Sequence, residues 1–226
     1  VDPKWFETHR SLVTALLGGI GHAHAVTVLD AENVSTRAGS IGRVAMHVDA
    51  RIVDDDDRDV ATDTVGELIV RGPNVFTGYW MKAEASAEAL RGGWFHTGDL
   101  GRMDAEGFIT LVDRKKDMII SGGENVYPIE VEQVLFRHPA VFDAAVIGGK
   151  DAKWGERVVA VVVADPATQA PSAEEIVAWC RERLAHFKCP RDVHFVAELP
   201  RNATGKLLKT ELRAQFTGIE GGVVLR

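Results

Sequence analysis

Val196-Ala197-Glu198-Leu199-Pro200-Arg201-Asn202-Ala203-Thr204-Gly205-Lys206-Leu207-Leu208-Lys209-Thr210 is the stretch on which the reading of this chain turns. Phe195 and Val196 form an apolar strand end, and Leu199-Pro200 stops it, because proline has no N–H to give to a ladder. A short polar loop then closes on Thr204-Gly205-Lys206, where glycine permits a tight turn, and a helical pattern starts at Leu208. Lys206 is thereby a single cation on a loop held between two rigid elements. A lysine so placed can meet an anion where negative charge develops. Taken alone, a surface lysine on a turn carries the same signature.

Other motifs precede this one in a fixed order. They are Gly66-Glu67-Leu68-Ile69-Val70-Arg71-Gly72 with Gly78-Tyr79-Trp80, then Gly93-Trp94-Phe95-His96-Thr97-Gly98-Asp99-Leu100, then Asp113-Arg114-Lys115-Lys116-Asp117, then Ser121-Gly122-Gly123-Glu124-Asn125-Val126-Tyr127-Pro128. Their order and spacing resemble the C-terminal half of the adenylate-forming enzymes, specifically the acyl-CoA synthetases (fatty-acid–CoA ligases), over about residues 26–216. The Gly-Gly-Glu-Asn-x-x-Pro form of the loop at Gly122 is that of acyl-CoA synthetases; peptide-synthetase adenylation domains tend to carry an Arg-Gly-Tyr/Phe-Arg-Ile-Glu type sequence there.

The resemblance implies an α+β fold: a small distorted β-barrel subdomain followed by a compact, mobile α+β C-terminal domain. The expected boundaries are 26–113 for the barrel-like part, 114–117 for a hinge and 118–226 for the C-terminal domain, with 1–25 unassigned. It also implies roles. Asp99 and Arg114 would contact the ribose of ATP or AMP, a carboxylate and a planar guanidinium both suiting hydroxyl oxygens. Lys116 would be the hinge on which the C-terminal domain rotates between two poses. Gly122, Gly123 and Glu124 would face the coenzyme A path in the second pose. Lys206 would be the catalytic lysine of the first, bridging the substrate carboxylate and the α-phosphate while Mg²⁺ neutralises the departing phosphates. The partners implied are a carboxylic acid (a fatty acid by the family name), ATP and CoA.

The family's Ser/Thr/Gly-rich phosphate loop ending in Pro-Lys-Gly is missing from these residues, and so is its Tyr-Gly-x-Thr-Glu segment, where this chain reads Gly21-His22-Ala23-His24-Ala25-Val26-Thr27. No metal ligand is therefore assigned. The expectation is a fragment or truncated form, inactive by itself, whose partner is the missing N-terminal domain. The alternative is a non-catalytic module that binds nucleotide weakly or docks on another synthetase.

Composition fits this frame. A length of 226 residues suits one large or two small domains, and a formal net charge of −7 gives a nucleic-acid partner no electrostatic support. The cysteines, Cys180 and Cys189, lack metal-like spacing and point to a reduced, cytoplasmic compartment. No apolar run is long enough for a membrane span. Trp5, Phe6, Leu12, Val13, Leu16 and Leu17 are spaced like one face of a helix, ended by Gly18-Gly19. His22 and His24 with Cys180 would make only a weak metal pattern, and a flexible junction explains them better.

Along the chain, Val44–Val53 reads as one strand, Asp54–Asp59 as a solvated hairpin turn, and Glu67–Val70 as a second strand. Residues 82–91 read as a helix broken by Gly92-Gly93, and Phe108–Val112 as a strand. Beyond the charged run, a short strand at 118–120 leads to a glycine turn, and Pro128 opens a helix with Val131, Val134, Leu135 and His138 on one face. Ala144–Ile147 and Val158–Val163 read as buried strands. Ser172 with Glu175 forms a capping box before a helix that buries Ile176, Cys180 and Leu184.

The missing phosphate loop leaves nothing to preorganise charge around the β- and γ-phosphates. This chain alone is expected to show no acid-dependent ATP–pyrophosphate exchange across a panel of carboxylic acids. Exchange clearly above that of a Lys206→Ala variant would contradict the reading.

Overall fold

The structure, a computed structural model, describes residues 26–29, 33 and 35–216. Cα geometry divides the chain into two compact units, Val1–Lys115 and Lys116–Arg226. The proposed helix near Trp5 and the His22/His24 pair lie outside the described residues.

In the first unit, β1 (Thr27–Val28), β2 (Ser40–Val44), β3 (Asp49–Val53), β4 (Gly66–Arg71), β5 (Phe95–Met103) and β6 (Ile109–Arg114) form one antiparallel sheet in the order β1-β2-β6-β5-β4-β3. Val26, Ile41 and Val44 at one end of this path pack on the same core as Ile52, Leu68, Val70, Phe95 and Ile109 towards the other, so the sheet curls around its own apolar face. The run expected as one strand from Val44 to Val53 is two strands. His47 takes a left-handed backbone (φ +64°), and the Val48 N–H bonds to the Ala45 carbonyl at 3.3 Å, which turns the chain between β2 and β3. The acidic run does form a turn, with the Asp54 carboxylate accepting the Asp56 and Arg58 N–H groups at 2.9 Å each. It is more than a solvated loop, since Asp57 pairs with Arg91 and Asp55 with Lys115. Helix α1 (Ala83–Ala89) ends at Leu90, ahead of a short 3₁₀ turn, Arg91–Gly93, in which Gly92 and Gly93 adopt φ of +63° and +79°.

The second unit is built on two long strands, β9 (Val141–Asp151) and β10 (Gly155–Ala164), paired antiparallel. β11 (Asp192–Phe195) lies parallel to β10 on one side, and β7 (Ile119–Ser121) meets β10 at Gly155 and pairs with β8 (Glu124–Val126). Side chains alternate across a strand. Val146, Val158, Ala160 and Val162 face helices α2 (Pro128–Leu135) and α3 (Ala173–Arg181), through Val131, Leu135, Ile176 and Cys180. Ala145, Ile147, Val159, Val161 and Val163 face the other way, towards Leu199 and Leu212 of α4 (Lys209–Phe216). The fold class is thus α+β, with a sheet covered on both faces. Burial of both faces explains the unbroken apolar run of β10, Val158 to Val163.

The caps follow the sequence. Pro128 is at the first position of α2, and Ser172 and Glu175 make a reciprocal capping box on α3. Leu184 packs on the core from beyond the end of α3, which stops at Arg181, and Cys180 is a fully buried core residue. Burial pushes its thiol up to about 12, in keeping with its place in the apolar core. No helix among the described residues is long and apolar enough to cross a membrane.

Residues 116–226 expressed alone should fold, because they close a core of their own. In that chain Ser172→Ala should lower stability by about 1 kcal/mol. Urea unfolding followed by far-ultraviolet circular dichroism checks both, and an unchanged midpoint would remove the cap from the account.

Candidate active site

In the first unit the candidate site is built on a bulge. Ile69 pairs with His96 and Glu67 with Leu100, so Thr97, Gly98 and Asp99 together oppose Leu68. Extra residues in one strand bend it and re-aim a side chain. The Thr97 hydroxyl donates to the Leu68 carbonyl at 2.6 Å and accepts the Asp99 N–H at 3.1 Å, and Gly98 supplies the left-handed step at φ +70°. Asp99 then lies opposite Arg114 on β6, and the Arg114 Nε is 2.6 Å from the Asp99 Oδ1. The two residues read from sequence as separate ribose contacts are therefore one ion pair. Asp99 is only 3% exposed, while part of the Arg114 side chain stays accessible.

Behind the bulge sits Glu67, which the sequence reading did not single out. Its carboxylate accepts the Gly98 N–H at 3.2 Å and a Lys115 ammonium hydrogen bond at 3.1 Å, with His96 Nδ1 at 3.5 Å. Burial works to raise this carboxyl, but the hydrogen bond and charge of Lys115 and the Gly98 N–H outweigh it and hold it below the usual carboxylate range. Lys115 is correspondingly held above the ordinary lysine value: its burial opposes this, but Asp55 and Glu67 prevail. The one visible signal was a charged residue in an otherwise apolar strand, Gly66-Glu67-Leu68-Ile69-Val70.

In the second unit, the expected glycine turn is the tip of a two-residue hairpin. Ser121 pairs with Glu124, and Gly122 and Gly123 between them have φ of +64° and +86°, the signs a type I′ turn demands. Glu124 is exposed on β8. The Gly122 N–H donates to the Trp154 carbonyl at 2.8 Å, and a Cβ at Gly122 would stand 2.6 Å from the Trp154 ring. At Gly123 the same atom would meet open space. Trp154 is held in turn by the Asp151 carboxylate, which accepts the Lys153 and Trp154 N–H groups at 2.9 Å each; these bonds, led by Trp154, hold the Asp151 carboxyl below its ordinary value. Trp154 was missed because a tryptophan in a turn has no periodicity to betray it.

Lys206 occupies a loop closed by the Arg201–Leu207 bridge. The Asn202 Oδ1 accepts the Thr204 N–H, the Thr204 hydroxyl and the Lys206 N–H at 3.0, 2.8 and 2.9 Å, and Gly205 takes φ +81°. Arg201 donates to the Gly205 carbonyl at 3.0 Å and reaches the Asp143 carboxylate of β9 at 2.7 Å. The Lys206 side chain is exposed, and among the described residues no carboxylate pairs with it. Lys116 is exposed too, in a short 3₁₀ turn over Lys115–Asp117. No group of three or more His, Cys, Asp or Glu among the described residues is placed to hold a metal.

Two family profiles match this chain: the AMP-binding enzyme C-terminal domain over residues 130–206, and the AMP-binding enzyme over residues 9–80, beginning inside the stretch left unassigned above. The chain belongs to the adenylate-forming AMP-binding enzymes. It is 45% identical over 205 residues to a feruloyl-CoA synthase of Amycolatopsis sp, a match covering 89% of this chain and 42% of that protein. The solved o-succinylbenzoate CoA synthetase of Bacillus subtilis in complex with its acyl-adenylate intermediate superposes with a TM-score of 0.77 at 39% identity, over 89% of this chain and 40% of that one. The same enzyme in complex with ATP and magnesium ion gives 0.74 at 39% identity, over 84% and 38%. The chain thus spans well under half the length of the relatives it matches.

The hairpin geometry separates two adjacent glycines. Gly123→Ala should cost about 1–2 kcal/mol for its left-handed backbone alone. Gly122→Ala should cost about 1–3 kcal/mol more, because the Trp154 ring must move. Urea denaturation of both variants checks the order, and equal costs would mean that the ring yields freely.

Proposed function

We propose that this chain supplies the C-terminal part of an ATP-dependent carboxylic acid–CoA ligase that works through an acyl-adenylate. The observation that carries this is Lys206, an exposed ammonium on a loop whose backbone is pinned by Asn202 and tied through Arg201 to the sheet. In the first half-reaction a carboxylate oxygen attacks the α-phosphorus of ATP, forming acyl-AMP and releasing pyrophosphate. Two anions must approach each other, and Lys206 would lower that repulsion from between them. Asp99 and Arg114 would hold the ribose, Arg114 presenting the accessible donors and Asp99 orienting it from behind. In the second half-reaction the CoA sulfur attacks the acyl carbon and AMP leaves with the bonding pair. The Gly122-Gly123 tip would lie along the pantetheine path, since Gly123 leaves that side of the hairpin free of side chain.

The relatives support ATP, magnesium and CoA as the companions of the complete enzyme. Among the described residues no cluster of carboxylates, histidines or cysteines is placed to hold the metal. The acid is more open. A fatty acid follows from the family name, whereas the relatives named above act, by their own names, on acids with an aromatic ring; we extend the expected substrate to aryl-bearing acids.

The test is single-turnover kinetics of each half-reaction in the chain joined to an N-terminal part carrying the phosphate loop. Lys206→Ala should slow acyl-AMP formation by about 10²–10³ and leave thioester formation from supplied acyl-AMP nearly unchanged. Gly123→Leu should do the reverse, by filling the pantetheine path. If both variants slow the same half-reaction, the assignment of two poses to these motifs is wrong.

A further inference from the structure

In the first unit one buried carboxylate grips two separate segments. Glu67, 5% exposed, takes the Gly98 N–H on Oε1 at 3.2 Å and the Lys115 ammonium on Oε2 at 3.1 Å. Gly98 directly precedes Asp99, Lys115 directly follows Arg114, and Asp99 and Arg114 pair with each other at 2.6 Å. The result is a closed ring of contacts: Glu67 to Gly98, along the chain to Asp99, across to Arg114, along the chain to Lys115, and back to Glu67. Asp55 adds a second hold on Lys115 at 2.8 Å, and Arg91 and His96 approach the Glu67 carboxylate to 3.7 and 3.5 Å. In the second unit Asp117 has its own anchor, a 2.7 Å pair with Arg213 of α4. Lys116 stands between these anchored neighbours, exposed, with no ion pair among the described residues.

A backbone rotation is shared among whichever residues are free to change φ and ψ. Removing an ion-pair clamp from Lys115 would let Arg114 and Lys115 share it, and Arg114 would leave Asp99. We propose that Glu67 is a positioning residue for the nucleotide half of the site: it ties Arg114-Lys115 to the Thr97-Gly98-Asp99 bulge, so that a swing of the second unit starts at Lys116 and leaves the Asp99–Arg114 pair in place. The use of this arrangement rests on the ligase reading; its mechanics do not. A carboxylate serves where a neutral group would not, because it must hold an ammonium and a backbone N–H together in a site largely shielded from water.

The test uses the whole ¹⁵N-labelled chain and neither ATP nor acid, so it stands or falls apart from the ligase assays. In the unaltered chain, ¹H–¹⁵N heteronuclear NOE values at Arg114 and Lys115 should match those of the flanking strand, with a dip at Lys116. In Glu67→Gln they should fall at both residues, and the Gly98 amide should exchange about tenfold faster, as expected for loss of one charge-assisted hydrogen bond. Lys115→Met should produce the same loss of order at 114 and 115, and Lys115→Arg should restore it. A purely structural carboxylate would alter overall stability without this local and rescuable change. If Glu67→Gln does not fold, the half-exposed Lys115 positions carry the test alone. Mobility at Arg114 and Lys115 in the unaltered chain, no dip at Lys116, or a Lys115→Met chain as rigid there as before would each overturn the proposal.

Discussion

Burial of both faces of the β9–β10 ladder is the constraint from which the second unit follows. Val158 to Val163 are at most 8% exposed, and alternate residues serve opposite layers. Complete burial of a valine-sized side chain contributes roughly 1.5–3 kcal/mol, and the ladder contributes several on each side. The two candidate functional loops of the second unit hang from it. The Gly122-Gly123 hairpin meets β10 at Gly155 and is bonded to Trp154 in the turn between the two strands. The Lys206 loop is flanked by Leu199 and Leu212 on one face and is tied to β9 through Asp143. A polar residue in the middle of β10 would loosen both at once.

The ladder was also the most legible part of the fold. Two short unbroken apolar runs read as strands covered on both faces, and Pro128 and Ser172 mark helix starts that need no tertiary information. The misreading came where local chemistry is permissive. Val44–Val53 is largely β-compatible, and nothing in its composition requires His47 to turn left-handed, yet the chain turns there between β2 and β3. The acidic run reads from its composition as a solvated turn; it is a turn, but its partners Arg91 and Lys115 are distant in sequence, and long-range pairing leaves no trace in a local pattern.

The site divides in the same way. Lys206, Gly122 and Gly123 show locally only as turns, and their roles came from membership of the motif series. Asp99 and Arg114 were likewise visible only as motif members, and their mutual pairing comes from the β5–β6 register. Glu67 and Trp154 were not picked out at all. Each acts through a backbone N–H or carbonyl of a residue far along the chain, and such contacts exist only once the strands have aligned.

The Asn202 carboxamide has a consequence for where the free energy of closure can go. It already fixes the backbone on both sides of Gly205, so the loop bearing Lys206 has given up its conformational entropy during folding. Only the four-carbon arm of the lysine remains to be ordered when an anion arrives. A floppy loop would have to be frozen at each encounter, at a cost of about 1–2 kcal/mol for every residue immobilised. In the proposed ligase that cost would be absent from every turnover, and the attraction between the Lys206 ammonium and a phosphate would be left to act on the approach of the reacting atoms.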